Sequence, residues 1–152
     1  MASYFFDTSA LVKYYHAEVG TAAVSKIFDE PDRTIAISSL GFLEIQSAFA
    51  IKVRCGILDA SNSGIQRARL MVDIAAGSIE VYPIEGRHFA LAELLIGRHS
   101  FTRRLRTLDA LQLAIALDLS AQNLTQYFVV ADHALADVAN LEGLGVINPA
   151  IS

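Results

Sequence analysis

Short aromatic and β-branched runs alternate with helix-length segments along this chain, and that alternation limits its fold more than any other feature. Ser3-Tyr4-Phe5-Phe6, Thr34-Ile35-Ala36-Ile37, Ile79-Glu80-Val81-Tyr82, Tyr127-Phe128-Val129-Val130 and Val146-Ile147 read as five strands. Helical spacing fills the intervals over 10–15, 21–29, a long segment from Ser38 or Ser39 to Cys55, then 61–76, 87–99, 107–119 and 132–141. Gly20, Pro31, Gly56, Gly77 and Pro83 fall at the joints, where chain reversals need them. Strands separated by helices imply right-handed crossovers and a sheet covered on both faces. The expectation is one α/β domain over residues 1–152, with a mostly parallel central sheet of about five short strands and helices on both faces.

Composition narrows the class further. A chain of 152 residues that is 53% hydrophobic and 18% charged can build a core and is not disordered. Its single cysteine, Cys55, excludes an intramolecular disulfide and a multi-cysteine zinc site, and reads as a helix-end filler. The net charge of −4 argues against a broadly basic nucleic-acid coat while leaving local patches open. No basic stretch precedes an apolar run at the start, and no apolar run reaches the roughly 18 residues of a spanning helix, so a cytoplasmic protein without membrane contact is expected.

Within these apolar stretches a few carboxylates stand alone. Asp7 is the only charged residue from Met1 to Val12, and Glu44 the only one from Thr34 to Ile51. Asp109 stands alone from Thr107 to Leu117, and Asp132 closes the run that begins at Leu119. An unpaired buried carboxylate costs several kcal/mol, so each needs a partner or a purpose. Taken singly, Asp7 and Asp132 suit turns or helix caps, and Asp109 suits the first turn of a helix. Glu44 is harder to explain that way, because Leu40, Leu43, Ile45, Ala48 and Phe49 surround it at helical spacing. Position in the expected sheet changes the weighing. Asp7 and Asp132 fall at carboxyl ends of strands, and Glu44 lies early in the helix after a third strand. Open parallel sheets bind ligands at that rim. Clustered carboxylates repel unless cations neutralise them, and all-oxygen ligation suits Mg²⁺ or Mn²⁺, ions that can activate water against a phosphodiester.

The stretches from Asp7-Thr8-Ser9-Ala10 to Tyr15, from Ser39-Leu40 to Glu44, from Leu105-Arg106-Thr107-Leu108-Asp109-Ala110-Leu111 to Ala114, and from Val129 to Asp132 resemble a PIN domain, in particular VapC-type toxin ribonucleases. The closing Gly145-Val146-Ile147-Asn148-Pro149 fits as well, so the likeness spans nearly the whole chain. The resemblance implies a Mg²⁺- or Mn²⁺-dependent endoribonuclease acting on RNA, a homodimer, and a cognate antitoxin that holds it inactive. It assigns catalytic roles to Asp7, Glu44, Asp109 and Asp132, with Asp7 and Asp109 as direct metal ligands and Glu44 and Asp132 binding directly or through water. Thr8 and Ser9 are expected to steady Asp7 or its turn. Ala131 stands where relatives usually carry Ser or Thr, and Gln112 where many carry His.

Arg98, Arg103, Arg104 and Arg106 cluster just before Asp109, and with Lys13 they are candidates to hold RNA phosphates. His88, His99 and His133 lack metal-ligand spacing and read as surface residues. Rival readings remain. A haloacid-dehalogenase-like phosphatase would want a second acid two residues after Asp7, where Ser9 stands; a binding module that has lost nuclease activity is favoured only by Ala131. The apolar excess of the segment 40–51 points to a covered interface, for which a second copy is the expected partner.

Overall fold

The computed structural model describes residues 1–151. In chain order the elements are β1 (Ser3–Phe6), α1 (Thr8–Tyr15), α2 (Thr21–Asp29), β2 (Thr34–Ser38), α3 (Ser39–Arg54), α4 (Ala60–Ala75), β3 (Glu80–Tyr82), α5 (Gly86–His99), α6 (Thr107–Ala121), β4 (Tyr127–Val129), α7 (His133–Leu141) and β5 (Gly145–Ile147). The five strands pair in the order β3-β2-β1-β4-β5, and every pairing is parallel, so the expected "mostly parallel" sheet is an all-parallel one.

Period-two alternation along β1 divides the core. Phe5 faces one side with Phe128, Leu111, Ile115 and Leu135, under α5, α6 and α7. Tyr4 and Phe6 face the other with Phe28, Ile37, Ile45 and Phe49, under α1 to α4. The chain builds outward from β1 through β2 to β3, then returns to lay β4 and β5 on β1's other flank. The order therefore reverses beside β1, and the crevice at the carboxyl ends of β1 and β4 is where an open parallel sheet offers a ligand site. Helix starts converge there: Asp7 caps α1, Ser38 caps α3 and Asp132 caps α7 through their side chains.

Two expectations are corrected. His88 and His99 are buried, not surface residues. Each reaches a carboxylate on another helix: His88 Nε2 lies 2.7 Å from Asp118, and His99 Nε2 2.6 Å from Glu142. These bonds fasten α5 to α6 and to the end of α7, giving buried rings the partners they need. His133 is exposed, as expected.

Candidate metal centre

Asp7 leaves β1 where its backbone N–H donates to the Val129 carbonyl of β4 at 2.9 Å. The side chain is only 6% exposed. Its Oδ2 accepts from the Ser9 backbone N–H at 3.1 Å and from the Ser9 hydroxyl at 2.5 Å. The Ser9 Oγ in turn accepts from the backbone N–H groups of Ala131, at 3.0 Å, and Asp132, at 3.3 Å. With its lone pairs so engaged, that hydroxyl has one proton to give, and it goes to Asp7. Ser9 thus ties the end of β1 to the end of β4.

A second relay holds Glu44. The Gly41 N–H donates to Ser38 Oγ at 2.8 Å, so the Ser38 proton turns to Gln112 Oε1, also at 2.8 Å. The Gln112 amide nitrogen must then face the other way, and it donates to Glu44 Oε1 at 2.9 Å. Thr8 Oγ1 makes a longer bond of 3.4 Å to the same oxygen. Gln112 is fully buried, and a Cβ on Gly41 would stand 3.2 Å from its amide nitrogen, so the glycine leaves the room this amide needs. In the sequence Gln112 stands out only as a departure from the His of many relatives, and its role as a brace is hidden there because the bond to Ser38 spans 74 residues.

Asp109 lies in the first turn of α6, where the helix dipole favours its charge, and Arg106 lies 3.4 Å from its Oδ2. Asp132 caps α7 by accepting from the Leu135 N–H at 2.9 Å, with Arg104 3.5 Å from its Oδ2. The capping readings of Asp7 and Asp132 are therefore correct locally. They do not account for the electrostatics. Burial pushes Asp7 up to about 6, with Asp109 adding repulsion against the bonds from Ser9. Glu44 is pushed up to about 7, first by burial and then by the charge of Asp7, with Asp109 adding to it. Asp109 is raised by burial, pulled back by Arg106 and raised again by Asp132. The carboxylates thus sense one another across a single rim.

The basic residues divide. Arg104 and Arg106 stand against the site carboxylates, and Arg103 is exposed on the same loop. Lys13 and Arg98 do not join them. Lys13 is buried and bonded to Glu18, which also holds Lys52, so the expectation that it meets RNA is corrected. Arg98 grips Glu142, beyond the far end of α7 from Asp132 and about 15 Å along that helix at 1.5 Å per residue. Each thus pairs with a carboxylate outside the rim, Lys13 with Glu18 and Arg98 with Glu142.

The donor set fits a hard dication. It is all carboxylate oxygen, and among the described residues no Lys or Arg ion-pairs with Asp7 or Glu44. No three His, Cys, Asp or Glu among the described residues stand close enough to enclose an ion by themselves. Mg²⁺ keeps several waters and takes one or two carboxylates, so it does not require an all-protein cage.

The fold and this acidic rim agree with comparison to known proteins. The family model of the PIN domain matches residues 4–141, and the chain belongs to that family. No curated protein matches it by sequence. Among solved structures it is similar to Mycobacterium tuberculosis VapC20, a Sarcin-Ricin loop cleaving toxin, at 16% identity and a TM-score of 0.67, over 96% of this chain and 99% of that one. It is also similar to FitAcB from Neisseria gonorrhoeae, at 14% identity and a TM-score of 0.66 over 98% and 99% of the two chains. VapBC2 from Rickettsia felis, solved on a DNA fragment from their promoter, matches at 15% identity and a TM-score of 0.65 over 96% and 98%. At these identities the likeness is one of fold. No helix among the described residues is long and apolar enough to cross a membrane.

Proposed function

We propose that this chain is a metal-dependent endoribonuclease that hydrolyses RNA phosphodiester bonds, and that it is the toxin of a toxin–antitoxin pair. The observation that carries the reading is the raised, mutually repelling set of Asp7, Glu44 and Asp109 at the sheet's switch point, a charge arrangement that calls for a cation. Asp7 and Asp109 would hold Mg²⁺ or Mn²⁺ directly, and Glu44 and Asp132 directly or through water. When bound, such an ion supplies an activated water and steadies the leaving oxygen of a phosphodiester. Ser9 and Gln112 hold the carboxylates in place, and Arg103, Arg104 and Arg106 offer cations to the RNA backbone. The fold likeness to VapC20 and to the VapBC and FitAB assemblies supports this reading.

A groove of about 610 Å³ runs from Thr8 and Glu44 along α3, past Leu40, Leu43, Ala48, Ile51 and Leu108. An antitoxin tail with apolar side chains for this groove and one basic side chain for Glu44 fits its chemistry. Leu43 and Ile51 are exposed on α3, which supports the homodimer expected from the apolar excess. The impaired-binding-module reading rests on Ala131 alone, against the presence of all four acids, Asp7, Glu44, Asp109 and Asp132.

The test is incubation of purified protein with total RNA and Mn²⁺, with and without chelator. Cutting that requires the metal supports the proposal. Cutting that survives chelation overturns the mechanism, and hydrolysis of small phosphomonoesters instead would favour the phosphatase.

A further inference from the structure

Residues 100–106 join α5 to α6 and so deliver Asp109 to the rim. They include Arg103, Arg104 and Arg106 and no acidic residue, in a chain whose net charge is −4. The segment is fastened at several points. The N–H groups of Thr102 and Arg103 both donate to the His99 carbonyl, at 3.1 and 2.9 Å, and the Ser100 hydroxyl donates to the Leu105 carbonyl at 3.2 Å. Leu105 is buried at one end, and at the other His99 is buried against Glu142. Held between these ties, Phe101 is 91% exposed, more than any other large apolar side chain described.

A lone exposed apolar residue needs no explanation by itself. This one sits on a tethered loop, among arginines, three residues before the arginine that touches Asp132. Three residues span at most about 10 Å of chain, so the Phe101 backbone lies within that distance of the Arg104 backbone, and the ring shares one short loop with the arginines. Proteins that hold single-stranded nucleic acid combine cationic side chains for the backbone with aromatic faces on which bases stack. Two like-charged loops would repel in a self-contact, whereas an anionic strand satisfies the arginines and the ring together.

We infer that Phe101 is a base-stacking residue, holding an unpaired nucleobase of single-stranded RNA on the arginine loop that leads to Asp109. The inference rests on the nuclease reading and adds a substrate contact to it. It makes the loop a selector of unpaired RNA: the arginines take any backbone, but the ring needs a base out of its helix.

The experiment measures binding of a short labelled single-stranded oligoadenylate and of the same sequence as a duplex, in chelator, so that nothing is cut. Phe101→Ala and Phe101→Leu should weaken single-strand binding about fivefold or more, leave duplex binding unchanged, and leave the salt dependence unchanged. Phe101→Trp should keep wild-type affinity, and its fluorescence should be quenched by the oligonucleotide. Phe101 is exposed, so all three variants keep the core intact; circular dichroism verifies it. Wild type that binds while both Phe101→Ala and Phe101→Leu bind equally well overturns the inference and leaves the nuclease reading standing. Phe101→Ala that loses self-association instead makes the ring a protein contact and overturns it too. Wild type that binds no RNA, alone or with Mn²⁺, overturns the nuclease reading and the inference with it.

Discussion

Replacing Gln112 by Leu removes the brace behind Glu44 at nearly constant volume. Gln112 is fully buried and makes two hydrogen bonds, one accepted from Ser38 and one donated to Glu44. Leu leaves the Ser38 hydroxyl without an acceptor, and it strips a donor from a carboxylate. A buried unsatisfied group and a lost bond to a charged acceptor together cost about 2–5 kcal/mol. In a domain of this size that is a fall in Tm of roughly 5–15 °C.

The cost should also depend on pH, which separates a brace from mere packing. Glu44 has its pKa raised to about 7, and the Gln112 bond is one of two that hold it down. A carboxyl raised in the fold contributes stability below its unfolded value, and that contribution is lost as pH rises through the folded value. Losing Gln112 raises Glu44 further, so the metal-free variant should fall further behind wild type at about pH 8.5 than at about pH 5.5. Chemical denaturation of both proteins in chelator at the two pH values measures this. A deficit equal at both would mean that Gln112 only fills space, and the Ser38–Gln112–Glu44 relay would have to be abandoned.

Other perturbations follow from the same geometry. Ser9→Ala leaves the Ala131 and Asp132 N–H groups without their acceptor and should cost about 1–3 kcal/mol by thermal unfolding, far more than an ordinary surface change. Arg104→Ala and Arg106→Ala, on exposed ion pairs, should change stability by less than about 1 kcal/mol, yet each should lower the salt slope of RNA binding by close to one ion. Glu18→Gln removes the negative charge that Lys13 and Lys52 share and should cost roughly 1–3 kcal/mol, while RNA affinity in the folded fraction stays unchanged.

The sequence was most legible where local rules suffice. Strand and helix segments are recognisable from aromatic and β-branched runs and their joints, and the structure shifts most boundaries by a residue or two. The four acids stood out because each is alone in an apolar stretch. What escaped depends on contacts between distant segments. His88 and His99 look like ordinary polar positions on α5 until Asp118 and Glu142 arrive from α6 and α7. Lys13 looks exposed until Glu18 folds back over it, 5 residues on. Gln112 had no visible partner, since Ser38 and Glu44 approach it only across the assembled sheet edge. The departure at Ala131 was visible, but not that Ser9, 122 residues away, accepts from its backbone N–H.

The central claim is that these carboxylates are gathered for a cation and not for capping alone, and Asp7→Asn tests it most directly. Asn keeps an oxygen that can cap α1, so a structural role survives the change. Asp7 is pushed up to about 6, so above that pH the metal-free fold bears the cost of its buried charge. Thermal unfolding at about pH 8 in chelator should find Asp7→Asn as stable as wild type or more so. Added Mn²⁺ should raise the wild-type Tm, since a bound ion stabilises only the folded state, and raise that of the variant much less. A variant destabilised in chelator with an unaltered Mn²⁺ response would contradict the account and leave Asp7 a helix cap only.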